Sequence, residues 1–399
     1  MIYSCGCSVN DCGISRDSKL DENVFEVTVK DLTSDGRGVV ESPSGKVFFV
    51  AGVWKAETIK VQQASDDQGR AELRLLEVLK PSSARVVPPC RYQGHGADSC
   101  GGCAWQFIDY EAQLAAKQER VESQLARIGI VHRIEPIIAS PNNLGYRNRA
   151  QFKTNGSVMG FVAARSNHIV DVHDCLVLDD GNRELLRNLR AQLPNTQWQN
   201  EGAGRWNTVD ICAGNEGQTV SLNERLPFRQ ANEQQNARLK EWLRSKMGKL
   251  ERSMPVLELF AGSGNLTELI ADLGFETIVA VDVVADGVRR LQSRNLQGVQ
   301  AMAADLYDAS AFARVAEVIS PAVLVLDPPR DGFRERGNLF EKQSNIKDIF
   351  YVSCDLATLC RDLAFLQSRQ YKVREVQPLD MFPHTPHVEL LVHLRKKGG

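Results

Sequence analysis

The chain has 399 residues, of which 43% are hydrophobic and 25% are charged. This length exceeds what one small core can organise, so we expect two or three domains, and the apolar fraction excludes wholesale disorder. A formal net charge of −2 argues against a broadly basic, non-specific nucleic-acid binder, although it is compatible with a local basic face.

The sequence indicates neither a membrane anchor nor a secretion signal. No stretch approaches the roughly 18 apolar residues of a transmembrane helix, and the N-terminus lacks the basic and apolar regions of a signal peptide. We therefore expect a cytoplasmic protein that does not bind membranes. Because disulfides are rare in that compartment, the ten cysteines suggest that some of them serve a metal, a cluster or catalysis.

The first 80 residues divide into a polar tail and a β-rich segment. The tail, residues 1–20, has three cysteines to which we assign no role: Cys5, Cys7 and Cys12. In residues 21–80, apolar residues alternate with polar ones, and Ser-Asp-Gly-Arg-Gly at 34–38 is typical of a turn. About five short strands in this length predict a small barrel of the oligonucleotide-binding (OB) kind.

Residues 81–228 contain cysteines at a spacing suited to a metal or a cluster. In Cys-Gly-Gly-Cys at 100–103, the two intervening residues let both thiolates face one ion. The candidate ligands are Cys90, Cys100, Cys103 and Cys175. Four thiolates suit zinc or an iron–sulfur cluster, and spacing alone does not separate the two. The strand-rich part that follows mixes basic and aromatic side chains, as in RNA-contacting surfaces but also in ordinary solvated sheets.

From residue 229 to 399, strands alternate with helices, which predicts a doubly wound α/β sheet. Val256–Phe260 is the first strand, and the Gly-Ser-Gly turn at 262–264 lets a ligand approach the backbone closely. Acidic residues follow three later strands: Asp282, Asp305 and Asp327. Asp282 lies twenty residues after Gly262, the spacing at which an acid binds a ribose hydroxyl. Because Thr267 replaces the third glycine of the dinucleotide fingerprint, an adenosine carrying methionine fits better than a pyrophosphate.

Tyr351–Cys354 is predicted to end a buried strand, which places a thiol at the sheet edge where ligands bind in open α/β sheets. Asp-Pro-Pro at 327–329 resembles the motif with which amino-methyltransferases grip an amine, but Arg330 replaces its aromatic residue. This favours a carbon target over an amine. A thiolate that adds to carbon 6 of uracil enables carbon 5 to attack a sulfonium methyl group, and a carboxylate, for which Glu389 is our candidate, then removes the proton on carbon 5.

In combination, these motifs resemble the RNA uracil-C5-methyltransferases, in particular the iron–sulfur branch with an N-terminal TRAM domain. The resemblance spans residues 24–397. It is specific in Cys-Gly-Gly-Cys at 100–103 followed by Tyr-Glu-Ala-Gln at 110–113, in Ile-Val-Asp-Val at 169–172 before Asp-Cys at 174–175, and in Phe-Arg-Gln-Ala-Asn at 228–232. It is strongest in Asp-Pro-Pro-Arg at 327–330, Tyr-Val-Ser-Cys at 351–354, Ala-Thr-Leu at 357–359, and Gln-Pro-Leu-Asp-Met-Phe-Pro at 377–383 with His-Val-Glu at 387–389.

The resemblance implies roles for individual residues. Cys354 would be the nucleophile and Glu389 the general base. S-adenosylmethionine would be held by Gln230, Phe260, Asn265, Asp282 and Asp327, with Asp305 nearby. A [4Fe-4S] cluster would be ligated by Cys90, Cys100, Cys103 and Cys175. The fold would be a Rossmann-like methyltransferase domain at 229–399, a central β-rich iron–sulfur domain at 81–228 and an OB-like TRAM domain at 21–80 that grips RNA.

The implied reaction is methylation of carbon 5 of a uridine in RNA. We expect 23S rRNA as the substrate, because the branch with both a TRAM domain and a cluster mostly acts there, and tRNA is the alternative. An amino-methyltransferase and a non-catalytic RNA-binding protein are further alternatives, and a monomer is expected. The sequence departs from the family at Lys-Ala-Glu 55–57, where the TRAM domain usually has Pro-Gly-Glu, and at Asp355-Leu356, where Asn-Pro is usual. Nine residues, rather than five, separate Cys90 from Cys100.

Overall fold

The computed structural model describes residues 23–65, 71–164, 166–200, 206–214, 217–224, 229–334, 339–340 and 345–398. The chain separates into two compact units, Met1–Arg85 and Val86–Gly399. The tail with its three cysteines and Phe228 of the Phe-Arg-Gln-Ala-Asn motif lie outside the described residues. Within these ranges, no helix combines the length and the apolar character that a membrane crossing requires.

The described residues of the first unit form six strands. They are β1 (Val24–Thr28), β2 (Asp31–Leu32), β3 (Gly38–Glu41), β4 (Val47–Val50), β5 (Thr58–Ser65) and β6 (Ala71–Lys80). Two antiparallel three-stranded sheets, with strand orders β1-β5-β6 and β2-β3-β4, share one apolar core to which Ile59 and Phe48 contribute. The all-β character expected of residues 21–80 is present, and the RNA-binding TRAM barrel stays a prediction.

Ala56 in this unit adopts a backbone conformation that favours glycine, at the position where the TRAM motif usually has one. Its φ angle is 67°. The turn is held in place by the next residue, because the buried Glu57 carboxylate accepts hydrogen bonds from the backbone N–H groups of Trp54 (2.8 Å) and Ser82 (3.0 Å) and from the Arg85 guanidinium.

We expect Ala56→Gly to raise the free energy of unfolding by up to about 1 kcal/mol. A left-handed conformation costs a residue with a Cβ atom roughly 1–2 kcal/mol, which exceeds the roughly 0.5–1 kcal/mol of chain entropy that glycine loses on folding. Urea denaturation of the two proteins measures the difference. A lower stability of the glycine variant would contradict the expectation.

The second unit contains two sheets and seven helices among the residues described. The five-stranded antiparallel sheet has the order β11-β10-β7-β8-β9. Its strands are β7 (Arg149–Thr154), β8 (Met159–Val162), β9 (Ile169–Asp171), β10 (Asn207–Gly214) and β11 (Gly217–Leu222). Helix α1 (Tyr110–Ala126) precedes this sheet in the chain, and α2 (Asp180–Arg190) packs against β10.

The seven-stranded sheet has the order β14-β13-β12-β15-β16-β18-β17. Its strands are β12 (Val256–Leu259), β13 (Ile278–Asp282), β14 (Val299–Ala303), β15 (Val323–Leu326), β16 (Asp348–Ser353), β17 (Tyr371–Leu379) and β18 (Glu389–Lys396). The helices are α3 (Glu233–Met247), α4 (Asn265–Asp272), α5 (Ala285–Ser293), α6 (Ala309–Val318) and α7 (Leu356–Ser368). The predicted α/β fold is confirmed. All pairings are parallel except those of β18, which runs antiparallel to both β16 and β17.

Two apolar cores lie on opposite faces of this sheet. Successive residues of β15 alternate between them, with Leu324 and Leu326 in one core and Val323 and Val325 in the other. Helices α1, α6 and α7 contribute to the first core, and α3 and α4 to the second. Helix α1 comes from the segment predicted as a central domain, yet it packs on the methyltransferase sheet, so residues 86–399 form one compact unit.

Candidate active site

The carboxyl ends of β15 and β16 bring Asp327 and Cys354 to the same edge of the sheet. The two strands are parallel, with Leu326 opposite Tyr351, so the residue after each strand emerges at this edge. Strand β18 runs the other way and pairs Leu390 with Ser353. Its first residue, Glu389, therefore lies beside Cys354, and the predicted nucleophile and base come together with Asp327.

The turn after Cys354 is fixed by short-range hydrogen bonds. The Ser353 hydroxyl donates to the carbonyl oxygen of Asp355 (3.0 Å), and the Asp355 carboxylate accepts from the Thr358 N–H (2.8 Å). Asp355 thereby caps the N-terminus of α7. The departure from the family's Asn-Pro at 355–356 thus keeps a side chain that can cap a helix.

Cys354 lies in a negatively charged environment. Burial, together with the nearby Glu389 and Asp327 carboxyl groups, raises the pKa of the Cys354 thiol to about 12, and Arg330 opposes this effect. Burial and the charge of Asp327 raise the pKa of Glu389 well above its usual range, and burial raises the pKa of Asp327 to about 7. At neutral pH the Cys354 thiol is therefore mainly protonated.

The glycine turn after β12 is hydrogen-bonded to Asp282, the last residue of β13. The Asp282 carboxylate accepts hydrogen bonds from the N–H groups of Gly262 (2.8 Å) and Val284 (2.8 Å). Gly264 has a φ angle of 93°, and a Cβ atom added there would lie 2.5 Å from Cδ1 of Leu291. A side chain at position 264 is therefore disfavoured by the backbone conformation, and it would also require Leu291 to shift.

Two of the predicted cofactor residues lie next to α3. The Asn265 side chain exchanges two hydrogen bonds with that of Asn236, at 2.9 and 3.1 Å. Gln230 is buried, and its carbonyl oxygen accepts from the side-chain amide of Asn148 (3.0 Å). Asn265 starts α4 directly after the glycine turn, whereas Gln230 precedes α3, so they approach the site from different segments.

Phe260 and Asp305 are linked through Tyr307. Phe260 has a φ angle of 65°, and its ring centroid lies 6.0 Å from that of Tyr307 and 6.3 Å from that of Phe333. Asp305 is exposed and accepts a hydrogen bond from the Tyr307 N–H (2.9 Å). These contacts place Phe260 between the glycine turn and the loop after β14.

One acid of this region, Glu258, is not predicted by the sequence pattern. It is 2% exposed in β12, and burial, reinforced by Asp327 and Asp282, raises its pKa to about 8. A signal was available, because Glu258 stands between Leu257 and Leu259 in an otherwise apolar strand. Buried carboxylates without cationic partners are unusual enough to mark a site.

We expect Glu258→Gln to stabilise the protein more at pH 8 than at pH 5. The pKa of Glu258 is near 4.5 in the unfolded chain and about 8 in the folded protein. Between these pH values the unfolded chain has released a proton that the folded protein retains, so the wild-type protein becomes less stable as pH rises. At about 1.4 kcal/mol per unit, the gain should differ by roughly 3 kcal/mol between the two pH values. Unfolding free energies at both pH values test this, and equal effects would contradict it.

The four predicted ligand cysteines line one small cavity. All four are free thiols. Burial, and then the proximity of the other thiols, raises the pKa of Cys175 to about 11 and that of Cys103 further still, with Arg147 opposing both shifts. Cys90 and Cys100 contribute to both effects. No three His, Cys, Asp or Glu side chains in the described part of the chain are arranged around a single metal ion.

Known proteins resemble this chain in sequence and in fold. Residues 218–397 match the family model described as tRNA (Uracil-5-)-methyltransferase. An uncharacterized RNA methyltransferase of Nitrosomonas europaea is 35% identical, with 94% of this chain and 98% of the relative covered. The 23S rRNA (uracil(1939)-C(5))-methyltransferase of Halomonas elongata is 32% identical, with 92% and 89% covered.

The fold is similar to that of the Pyrococcus abyssi tRNA (uracil-54, C5)-methyltransferase, solved in complex with S-adenosyl-L-homocysteine. The TM-score is 0.68 at 20% identity, and the match covers 93% of this chain and 100% of that one. At this identity the likeness concerns the fold alone. The Halomonas elongata relative, matched over most of both chains, shows that this chain belongs to the RNA uracil-C5-methyltransferase family.

Proposed function

We propose that this protein transfers a methyl group from S-adenosylmethionine to carbon 5 of a uridine in RNA, through a transient bond between Cys354 and carbon 6 of the base. The supporting observation is the position of the Cys354 thiol beside the Glu389 carboxyl group at the carboxyl edge of the sheet. An amino-methyltransferase needs no thiol at this place, and a binding module needs neither group.

S-adenosylmethionine supplies a methyl group on a positively charged sulfonium. Asp282 would bind the ribose hydroxyls, since each carboxylate oxygen can accept more than the one backbone hydrogen bond that it accepts now. The adjacent Val283 and Val284 are 60% and 53% exposed, which suits an apolar contact with adenine. The remaining candidates for this substrate are Gln230, Phe260, Asn265 and Asp327, with Asp305 nearby.

The electrostatics of the site favour a cationic methyl donor. Burial raises the pKa values of both Asp327 and Glu389, and the charge of Asp327 raises that of Glu389 further. A positive charge next to them favours their ionised forms and also offsets the repulsion that a Cys354 thiolate meets. Glu389 can then act as a base, and Cys354 as a nucleophile, when both substrates are present.

The residues act in a fixed order. Cys354 adds to carbon 6 as a thiolate, and the electron pair of the C5–C6 double bond moves into an enolate. Carbon 5 takes the methyl group, the electron pair of the broken sulfur–methyl bond stays on sulfur, and S-adenosylhomocysteine leaves. Glu389 accepts the proton of carbon 5, the C5–C6 double bond forms again, and Cys354 leaves as a thiolate. The base gains one methyl group and loses one proton. To reach Cys354, the uridine must leave its stack at a cost of a few kcal/mol, which is smallest in a loop.

The RNA class is proposed from the relatives. We favour 23S rRNA because the Halomonas elongata relative is named for it. Transfer RNA is the alternative, since the matching family model and the Pyrococcus abyssi enzyme are named for tRNA. The six-stranded unit at 21–80 would contact that RNA as a TRAM domain.

The test uses RNA in which 5-fluorouridine replaces uridine. Fluorine at carbon 5 gives Glu389 no proton to remove, so the Cys354 adduct should persist and survive a denaturing gel. Fragments of 23S rRNA and tRNA are compared, together with the same RNAs containing uridine. An RNA that accepts methyl groups but never yields an adduct when fluorinated would overturn the covalent route, and methyl groups found on base amines would identify an amino-methyltransferase.

We further propose that Cys90, Cys100, Cys103 and Cys175 hold a [4Fe-4S] cluster. The donor set fits, because four half-buried free thiols line one cavity. Burial, together with the charges of the neighbouring thiols, raises the pKa values of Cys103 and Cys175, and bound iron would favour their thiolate forms. Such a cluster would tie the segment around residues 90–103 to the loop that contains Cys175.

Protein purified without oxygen should contain about four iron atoms and acid-labile sulfide per chain. Cys103→Ser should lose most of the iron and lower the melting temperature, whereas Cys212→Ser, at a half-buried thiol outside the cavity, should change neither. Zinc in place of iron, or metal-free protein of unchanged stability, would refute the cluster.

A further inference from the structure

Helix α1 presents a row of polar side chains toward the interior of the protein. Tyr110, Gln113, Lys117 and Arg120 recur every three or four residues, so they share one face of the helix. Gln113 and Lys117 are fully buried. These four side chains, the polar row, all contact residues 380–386 of the connector, the segment 380–388 that joins β17 to Glu389.

The first contact is a buried ion pair at the start of the connector. The Lys117 ammonium lies 2.5 Å from the Asp380 carboxylate and donates a second hydrogen bond to the carbonyl oxygen of Phe382 (3.2 Å). The Tyr110 hydroxyl donates to the other carboxylate oxygen of Asp380 (2.6 Å). Both charges are removed from solvent, with 0% exposure of either side chain.

The second contact holds the middle of the connector. The Gln113 amide oxygen accepts from the His384 N–H (2.8 Å), and its nitrogen lies 3.2 Å from Nδ1 of the His384 ring. The His384 carbonyl oxygen accepts from the Trp105 N–H (2.9 Å). His384 has a φ angle of 65°, a conformation that a residue other than glycine keeps only when its surroundings impose it. Near the end of the connector, Arg120 donates to the Pro386 carbonyl oxygen.

Stability alone does not explain why the polar row is buried. The desolvation cost of a buried ion pair can exceed its attraction, and apolar residues often replace one without loss. What a satisfied polar network does provide is a single conformation. The connector ends at Glu389, which must lie within hydrogen-bond reach of the proton on carbon 5. A displacement of about 1 Å at such a group can cost a hundredfold in rate.

We propose that the polar row of α1 positions Glu389 for proton removal, acting through the connector. Gln113 and Lys117 are positioning residues and touch neither the uridine nor the methyl donor. This inference rests on the proposed function, because it concerns the step that follows methyl transfer. A loosened connector should therefore slow the release of Cys354 from the base more than its addition.

The test compares two identical substitutions on one helix. Gln113→Leu removes the contacts with His384 and the hydrogen bonds that Gln113 donates to the carbonyl oxygens of Trp105 (3.2 Å) and Ile108 (2.8 Å). Gln118→Leu removes the hydrogen bonds that Gln118 accepts from the Ile137 N–H (3.0 Å) and donates to the Glu122 carboxylate (2.7 Å) and the Glu135 carbonyl oxygen (3.3 Å), all outside the connector. We expect Gln113→Leu to lower kcat at least about tenfold with KM for S-adenosylmethionine within about twofold. A methylated covalent adduct should accumulate on ordinary uridine RNA. Gln118→Leu should retain wild-type kcat and no adduct.

Several outcomes would overturn the inference: an unchanged kcat in folded Gln113→Leu, a lower kcat without adduct, or the same adduct in Gln118→Leu. If Gln113→Leu does not fold, Arg120→Met is measured in its place, with adduct accumulation expected and its absence decisive against the inference. Failure of the proposed function looks different, because the wild-type protein would then form neither 5-methyluridine nor a trapped adduct with fluorinated RNA.

Discussion

Replacing Cys354 with alanine should abolish methylation while leaving a folded protein that still binds S-adenosylmethionine. Without the sulfur atom, carbon 5 of the uridine stays a poor nucleophile, so every later step is lost. Removal of a nucleophile from an enzyme typically costs about 10⁴-fold or more in rate. Cys354 is only half-buried, and alanine removes a single heavy atom, so the stability should change little. Single-turnover transfer of a labelled methyl group measures the rate, and calorimetry measures binding of the methyl donor.

The matched control is Cys360→Ala. Cys360 is also a half-buried free thiol, and it lies in α7, six residues after Cys354. It should methylate RNA at the wild-type rate, which would separate the chemistry of residue 354 from a general effect of removing a thiol. A methylation rate of Cys354→Ala within tenfold of the wild-type rate would contradict the covalent mechanism and favour methyl transfer to an amine.

The sequence predicts which residues lie at the carboxyl edge of the sheet, because its strands are apolar runs that end in polar residues. Asp327 and Cys354 each follow a buried run, and the carboxyl ends of parallel strands meet at one edge. The position of Glu389 was not predictable in this way. It depends on β18 lying antiparallel between β16 and β17, and neither the direction nor the neighbours of a strand can be read from its own residues.

Buried polar residues with distant partners were missed for a different reason. Nothing in the sequence around Gln113 and Lys117 indicates that their side chains are buried, because their partners lie more than 260 residues further along the chain. The exchange between Asn236 and Asn265 is hidden in the same way. Glu258 differs, because its apolar neighbours in β12 were visible, and only the pattern of a polar residue inside an apolar run was needed to find it.

Glu389→Gln should separate methyl transfer to carbon 5 from the later removal of the proton on carbon 5. Methyl transfer to carbon 5 needs only Cys354, so it should proceed, but the proton on carbon 5 then has no acceptor and the methylated adduct should accumulate on ordinary uridine RNA. Loss of a general base lowers turnover by roughly 10²–10⁴-fold. Mass spectrometry of the trapped complex would show the mass of the added methyl group. Glu375→Gln, in β17 and bonded to Lys246 and Trp242, should leave turnover unchanged and serves as the control.

The same substitution should also change the pH dependence of the thiol. The negative charge of Glu389 is one cause of the raised pKa of Cys354, so an uncharged glutamine should lower that pKa below its value of about 12. In the wild-type protein, only a small fraction of the thiol is ionised at pH 9, and that fraction rises about tenfold per pH unit. Alkylation of Cys354 by iodoacetamide, followed from pH 7 to 10, should therefore be faster in Glu389→Gln, and most clearly at the pH values where Glu389 is ionised. Equal alkylation profiles would mean that the two groups are not close enough to interact, and proton removal by Glu389 would then have to be abandoned.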